Sequence, residues 1–367
     1  MKGMDIKMKV AFITNHPAPY RDDTLKLFSM YDDIELDVLN VEELPSNHRE
    51  WHWKAGDFNS YLKKPIHIPI LGLYNPGIIK KIQNYDLLII GSYYPATMLM
   101  ALVYSYVKKI PYIICTDAVK DGRKFHIIKK ILVEKIWLSA QGFWVPGLMS
   151  KEYLIEKKII PEKIFLGYYT NNALEMYRDI NKTQEMEMCN QYNINNKLFK
   201  FLFVGKLIPT RHIERLIEAV QILSKKRNDF CCIIIGDGSD SKLIEDDIKS
   251  IVHIKEVPYN KLHGFYKIAD AYIHPGSEPF SLATVEAFIA GIPVVSTNEV
   301  GATADYLKEE INGYTFDGTT KDLVKKMNNI LNGLISNKET EKTQKYIIKE
   351  RSIKWAAEEL YKAVMNK

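Results

Sequence analysis

Short apolar runs alternate with amphipathic stretches along most of this chain. In its first half, Val10–Thr14, Ile34–Leu39, Leu87–Ile90, Tyr112–Cys115, Gly142–Val145 and Lys163–Leu166 read as buried strands, with helical periodicity between most of them. A polar, Asn-rich stretch follows Tyr169 and runs to Asn196. A second series then begins: Phe199–Val204, Cys231–Ile235, Val252–Ile254, Ala271–His274, Pro293–Ser296 and Gly313–Phe316. Strands that are apolar at successive positions are covered on both faces, which is the mark of a parallel sheet between helices. The pattern therefore predicts two doubly wound α/β domains, at 1–170 and 171–345. Ligands of open α/β sheets bind at the carboxyl ends of the strands, so a cleft between the two domains is the expected site. The remaining 346–367 predicts an amphipathic helix over Tyr346–Val364, anchored by Trp355 and packing back toward the N-terminal domain.

A chain of 367 residues suits two domains. None of the four cysteines, Cys115, Cys189, Cys231 and Cys232, sits in a C-x-x-C pair, which points to reduced structural thiols. Leu87–Val107 carries no charge, but Gly91, Ser92 and Pro95 divide it into a strand and a helix over Ala96–Lys109, each shorter than the ~20 residues of a membrane span. The N-terminus has no apolar signal core, so the cytoplasm is the expected location.

The net charge of +5 is unevenly placed. Residues 1–170 hold 23 Lys/Arg against 18 Asp/Glu, and the rest of the chain is neutral. Lys108–Lys135 alone has eight basic and three acidic residues. A basic helix over 120–137, with Phe125, Ile131 and Trp137 among its lysines, suits peripheral contact with an anionic membrane surface. It can equally be a core-packed helix with a solvated basic edge. The patch is too small to predict nucleic-acid binding.

Two segments carry candidate chemistry. In the first, the strand ending at Gly205 leads through Lys206 and Arg211 into a helix. Gly205 permits close approach to the backbone, and the two cations suit a diphosphate; two solvated surface residues would look the same. The second is His274–Ser296. Pro279 fits the first position of a helix, which would turn the N–H groups of Phe280, Ser281 and Leu282 toward an anion. Glu278 stands at the mouth and Glu286 further along. Eight residues of helix advance ~12 Å and return to within ~80° of the same face, so the two carboxylates could hold hydroxyls at opposite ends of a sugar nucleotide. Gly301, after the next strand, is a weaker candidate for backbone contact with ligand.

Together these segments resemble the retaining GT-B glycosyltransferases of glycosyltransferase family four. The family's Gly-Arg-Leu…Lys-Gly turn is similar to Gly205-Lys206-Leu207…Arg211-His212. Its Pro-Ser…E-x7-E element matches Pro275 to Glu286, its Ala-x-x-x-Gly-x-Pro-Val-Val matches Ala287 to Val295, and its Gly-Gly…Asn-Gly tail looks like Gly301 to Gly313. The turn Asn15–Arg21 resembles openings of some polysaccharide-building members. The resemblance implies a GT-B fold of two Rossmann-like domains. It implies that Lys206 and Arg211 bind the diphosphate, that Glu278 contacts the donor sugar and that Glu286 contacts the ribose. His212 stands where glycine is usual. Asp117 stands near the place of a family histidine and is a candidate catalytic partner of Glu278, or else a helix cap.

The resulting expectation is transfer of a sugar, with retention, from a nucleoside diphosphate sugar (UDP or GDP) to a glycan or lipid-linked hydroxyl acceptor in surface polysaccharide synthesis. No metal and no tightly bound cofactor are expected, because no acidic D-x-D stands at a strand end. The acceptor side is placed on the N-terminal domain, with His16, Arg21, Arg123 and His126 as candidates. A sugar-nucleotide epimerase, a phosphorylase or a non-catalytic partner subunit on the same fold remain open alternatives.

Overall fold

A computed structural model describes residues 7–43, 56–92, 94–120, 134–170, 172, 180–244, 248–335 and 337–366. They form two units. The first takes in the described residues up to 170 together with 353–366, and the second takes in the rest to 352.

The first unit is built on a seven-stranded parallel sheet of β1 (Met8–Thr14), β2 (Ile34–Asn40), β3 (Asn59–Tyr61), β6 (Leu87–Ile90), β7 (Tyr112–Cys115), β8 (Gly142–Val145) and β9 (Ile164–Leu166), in the order β3-β2-β1-β6-β7-β8-β9. Alternate residues of β1 serve opposite faces. Val10 and Phe12 join one buried cluster, Ala11 and Ile13 the other, so helices cover both sides as continuous apolar runs require. Helices α1 (Pro19–Phe28), α2 (Ile78–Ile82), α3 (Ala96–Lys108) and α4 (Leu148–Glu156) belong to this unit, with a separate antiparallel hairpin of β4 (Ile66–Ile68) and β5 (Gly72–Tyr74).

The second unit has a six-stranded parallel sheet of β10 (Phe199–Val204), β11 (Phe230–Ile235), β12 (Ile251–Ile254), β13 (Ala271–His274), β14 (Val294–Thr297) and β15 (Gly313–Phe316), ordered β12-β11-β10-β13-β14-β15. The helices are α5 (Lys182–Gln191), α6 (Ile213–Ser224), α7 (Tyr259–Ile268), α8 (Leu282–Ala290), α9 (Gly301–Tyr306), α10 (Thr320–Leu331) and α11 (Asn337–Glu350). In each sheet the chain works outward on one side, returns, and continues on the other. The strand order therefore reverses between β1 and β6, and between β10 and β13, where open α/β sheets leave a crevice at the carboxyl ends.

Three expectations change. The strands β3, β4 and β5 were not apparent in the apolar pattern. The single helix expected over Tyr346–Val364 is two, α11 and α12 (Ile353–Met365), divided at Arg351–Ser352. Here α11 holds to the second unit, where Gln344 donates to the Ile289 carbonyl at 2.7 Å. In contrast, α12 packs on α1, β8 and β9 of the first unit, burying Ala357, Leu360, Ala363 and Val364. Gln141 caps its last turn through the Ala363 and Val364 carbonyls. Finally, α8 starts at Leu282, three residues later than a helix begun by Pro279. Among the described residues no helix is long and apolar enough to cross a membrane.

Candidate functional site

The crevice between β10 and β13 is lined by two loops that fit backbone against backbone. After β10 the chain runs through Gly205 and the exposed Lys206 to a 3-10 turn, Pro209–Arg211, and into α6. After β13 it runs Pro275-Gly276-Ser277-Glu278. The Ser277 N–H donates to the Thr210 carbonyl at 2.8 Å, and a Cβ on Gly276 would lie 2.4 Å from that same oxygen. A third loop, after β14, joins them: Glu278 N–H donates to the Glu299 carbonyl and Gly301 N–H to the Glu278 carbonyl, each at 3.1 Å. A Cβ on Gly301 would stand 2.1 Å from the Pro279 oxygen. Gly276 and Gly301 thus serve loop-to-loop packing. For Gly301 this packing is by itself a reason for the glycine.

Arg211, Glu278 and His274 meet on this frame. The Arg211 guanidinium donates through Nη2 to Glu278 Oε1 at 2.6 Å and through Nη1 to the Ser277 carbonyl at 2.7 Å. Glu278 Oε2 lies 3.2 Å from His274 Nε2, and since a carboxylate only accepts, Nε2 carries the proton. His274 is 1% exposed, and its Nδ1 has no hydrogen-bond partner. Burial works to raise the pKa of Glu278, but the His274 hydrogen bond and then the Arg211 charge overcome it, and the carboxyl titrates below its ordinary value. Glu278 is therefore a pre-aimed carboxylate, partly open to solvent, clamped from both sides. Arg211 has five N–H groups and spends two, which leaves it donors for an anion.

The sequence assigned Arg211 and Glu278 to different parts of a ligand, yet the fold couples them directly. His274 was quoted in the motif but given no role. Its signal was present, as a histidine closing an apolar strand four residues before the glutamate. The helical spacing argument for Glu278 and Glu286 fails, because Glu278 lies on an extended segment bridged to Val300, outside α8. Glu286 lies in the second turn of α8 and is buried, 5% exposed. Phe280 is buried. Ser281 is the N-cap, its Oγ accepting from Thr284 N–H at 3.3 Å, with its own φ at +77°. The first helical N–H groups are those of Leu282 and Ala283, half-buried and without intrahelical acceptors by position. His212, standing where the family has glycine, adopts φ +48° and ψ +46°, a left-handed conformation that glycine takes without cost. Gly205 follows β10 with its N–H bound to the Ile235 carbonyl at 3.0 Å.

The first unit holds the other candidates at the carboxyl edge of its own sheet. His16 accepts from Arg21 Nη2 through its carbonyl. Arg21 is 5% exposed, lying over the rings of Phe12 and Tyr20, so its charge is packed inside the unit. Asp117 is half-buried after β7 and accepts from Tyr169 OH at 3.3 Å, and Tyr169 meets Tyr20 edge-on. No helix follows Asp117 within 117–120, which leaves the capping alternative without a helix there. Arg123, His126 and most of the basic stretch 120–137 lie outside the described residues. Among the described residues no group of three His, Cys, Asp or Glu side chains is placed to hold a metal ion.

The family model described as glycosyl transferases group 1 matches residues 185–351, which contain the whole Gly205–Gly301 frame. A GDP-mannose-dependent alpha-mannosyltransferase of Mycolicibacterium smegmatis is 32% identical over 100 residues, 27% of this chain and 25% of the relative. The chain thus spans about a quarter of that relative's length. The capsular polysaccharide biosynthesis glycosyltransferase CapM of Staphylococcus aureus is 23% identical over 268 residues, 66% of this chain and 67% of its own. The crystal structure of Anabaena Alr3699/HepE in complex with UDP superposes with a TM-score of 0.76 at 15% identity, covering 98% of this chain and 100% of that one. The fold is that of the GT-B glycosyltransferases, and residues 185–351 match the glycosyl transferases group 1 family model.

Proposed function

We propose that this protein transfers a sugar from a nucleoside diphosphate sugar to a hydroxyl acceptor, with retention at the anomeric carbon. The observation that carries the reading is the Arg211–Glu278–His274 clamp at the β10/β13 strand reversal, beside the N-terminus of α8. Charge develops on the diphosphate as the glycosidic bond breaks. The spare donors of Arg211, the Lys206 ammonium and the N–H groups of Leu282 and Ala283 meet that charge, and the reading needs no metal ion for it. Glu278, held ionised, accepts from donor sugar hydroxyls, and buried Glu286 from the ribose. We assign the acceptor side to the first unit, with Asp117, His16 and Arg21 as its candidates. The names of the relatives, which mention GDP-mannose, UDP and capsular polysaccharide, support a UDP- or GDP-sugar as donor and a growing glycan as acceptor, which we extend to its lipid-linked form.

The test is a transfer assay with Glu278→Gln. The amide keeps the shape and loses the charge, so transfer is expected to fall at least ~100-fold while nucleotide affinity stays within a few-fold. Unchanged turnover would remove Glu278 from the mechanism. Consumption of a sugar nucleotide with no acceptor present would bring back the epimerase reading.

A further inference from the structure

Arg21 is a cation that the first unit has buried without a counter-charge. Its Nη2 donates to the His16 carbonyl, and its Nε has no acceptor. Among the described residues no carboxylate pairs with it. The groups around it are spent or neutral. Asp22, next in sequence, accepts through Oδ2 from Gly56 N–H at 3.1 Å and from Asn59 Nδ2 at 2.7 Å. Burial pushes the Cys115 thiol well above its ordinary range, so it stays protonated. Tyr168 OH donates to the Gly91 carbonyl at 3.3 Å, and Tyr169 OH to Asp117. What remains are the faces of Phe12 and Tyr20, with centroids 5.4 and 6.0 Å from the guanidinium carbon. Ring faces attract a cation but leave its N–H donors unsatisfied. A buried charge in that condition costs stability until something completes it.

Its place in the fold says what completes it. His16, which holds the guanidinium, is the second residue beyond β1, at the β1/β6 strand reversal. The helix that starts there, α1, is uncapped: Ala18 is its N-cap, no side chain bonds the first turn, and Pro19 follows. The Tyr20 N–H has no intrahelical acceptor by position. A guanidinium folded back on the positive end of a helix has the wrong sign for that end, and an anion between them resolves both. The same edge carries Asp117. Arg21 lies over Tyr20, Tyr20 meets Tyr169 edge-on at 5.5 Å, and Tyr169 bonds Asp117. The cation and the carboxylate thus flank one pair of half-buried rings.

We infer that Arg21 and the N-terminus of α1 form an anion subsite, and that the acceptor is a sugar bearing a phosphate or carboxylate. The planar fork of Arg21 receives two of the anion's oxygens, the ring pair covers the sugar, and Asp117 accepts from its hydroxyl. The inference rests on reading the first unit as the acceptor side.

The experiment is calorimetric titration of glucose 1-phosphate, glucuronate and neutral methyl glucoside into the full chain, with and without saturating UDP or GDP. The proteins are wild type, Arg21→Met, Arg21→Lys and Arg211→Gln. Wild type should bind one or both anionic sugars at least about tenfold more tightly than the neutral one, and which of the two binds names the anion. Arg21→Met should lose that preference, while Arg21→Lys, a charge without the fork, should bind at least about threefold more weakly than wild type. Arg21→Met removes an uncompensated buried charge and should melt no lower than wild type. If it does not fold, Arg21→Lys decides, and unchanged affinity there overturns the inference. Arg211→Gln should keep the preference, and Arg21→Met should keep its affinity for UDP or GDP, so the two sites are read separately. A preference lost in Arg211→Gln but kept in Arg21→Met would assign the anion to the second unit and overturn the inference. Equal binding of neutral and anionic sugars, or binding of neither anionic sugar to wild type, would overturn it and leave the donor site untouched.

Discussion

Glu278 has to be an anion in the folded protein, and the side chains around it are chosen to keep it one. Because its folded pKa is below the ordinary carboxyl value, its contribution to stability is complete above that ordinary range and is lost as pH falls through the lower folded value. Glu278→Gln should therefore cost about 1–3 kcal/mol at neutral pH, the size of a charged hydrogen bond. In acid the gap in melting temperature between variant and wild type should close. A gap that is independent of pH would mean that the Arg211 pair contributes nothing through its charge. His212 gives a second residue-scale prediction. Its left-handed backbone disfavours any Cβ, so His212→Gly should raise stability by up to about 1 kcal/mol in chemical denaturation. The 2.8 Å contact of its Nδ1 with Glu214 is lost in the exchange, but both side chains are partly or largely exposed and the contact adds little. Marked destabilisation would show that the imidazole holds the loop. The identities of Arg211 and Glu278 were legible in sequence because a charged residue beside a strand end is conspicuous. Their pairing was not, because they are 67 positions apart and meet only once β10 and β13 are neighbours.

Elements were legible where burial dictates composition. Strands covered on both faces must be apolar at every position, and those of the two sheet interiors stand out in the sequence within a residue or two of their observed ends. The edge strand β3, with Asn, Ser and Tyr, and the exposed hairpin β4–β5 carry no such constraint and went unread. The start of α8 was misplaced for a related reason. Pro279 suits the first position of a helix, but here it lies in a bend just after Glu278, which bridges Val300, and Ser281 caps the helix from a positive φ that its sequence does not advertise. The element that positions Glu278 is thus a three-loop junction rather than a helix, and its tolerance is set by glycines. Gly301→Ala would put a methyl 2.1 Å from the Pro279 oxygen and push that junction apart. We expect it to lower stability by roughly 1–3 kcal/mol and to weaken donor binding, although it removes no side chain from the site. Wild-type stability together with wild-type affinity in Gly301→Ala would show that the junction can yield without disturbing Glu278.

At the scale of the molecule, the chain uses one architecture twice and returns at its end to where it began. The break between α11 and α12 is the point of return. The periodic pattern of Tyr346–Val364 runs through it, because both helices are amphipathic and the sequence does not show that their apolar faces serve different units. The double use of the fold was legible, since two series of apolar runs separated by a polar stretch leave few other topologies. What each crevice binds was legible to different degrees. The second unit has Arg211 and Glu278 at the strand reversal, partly exposed, with donors of Arg211 to spare. The first packs Arg21 away among aromatic rings and leaves His16 and Asp117 half-buried.

The central claim is that the β10/β13 crevice binds the diphosphate of a sugar nucleotide through Arg211. Calorimetric titration of UDP and GDP into wild type and Arg211→Gln tests it most directly. The account predicts saturable binding of at least one of the two nucleotides to wild type, weakened tenfold or more, about 1.4 kcal/mol, in Arg211→Gln protein that remains folded. Equal affinity in the two proteins, or no binding of either nucleotide to wild type, would contradict it.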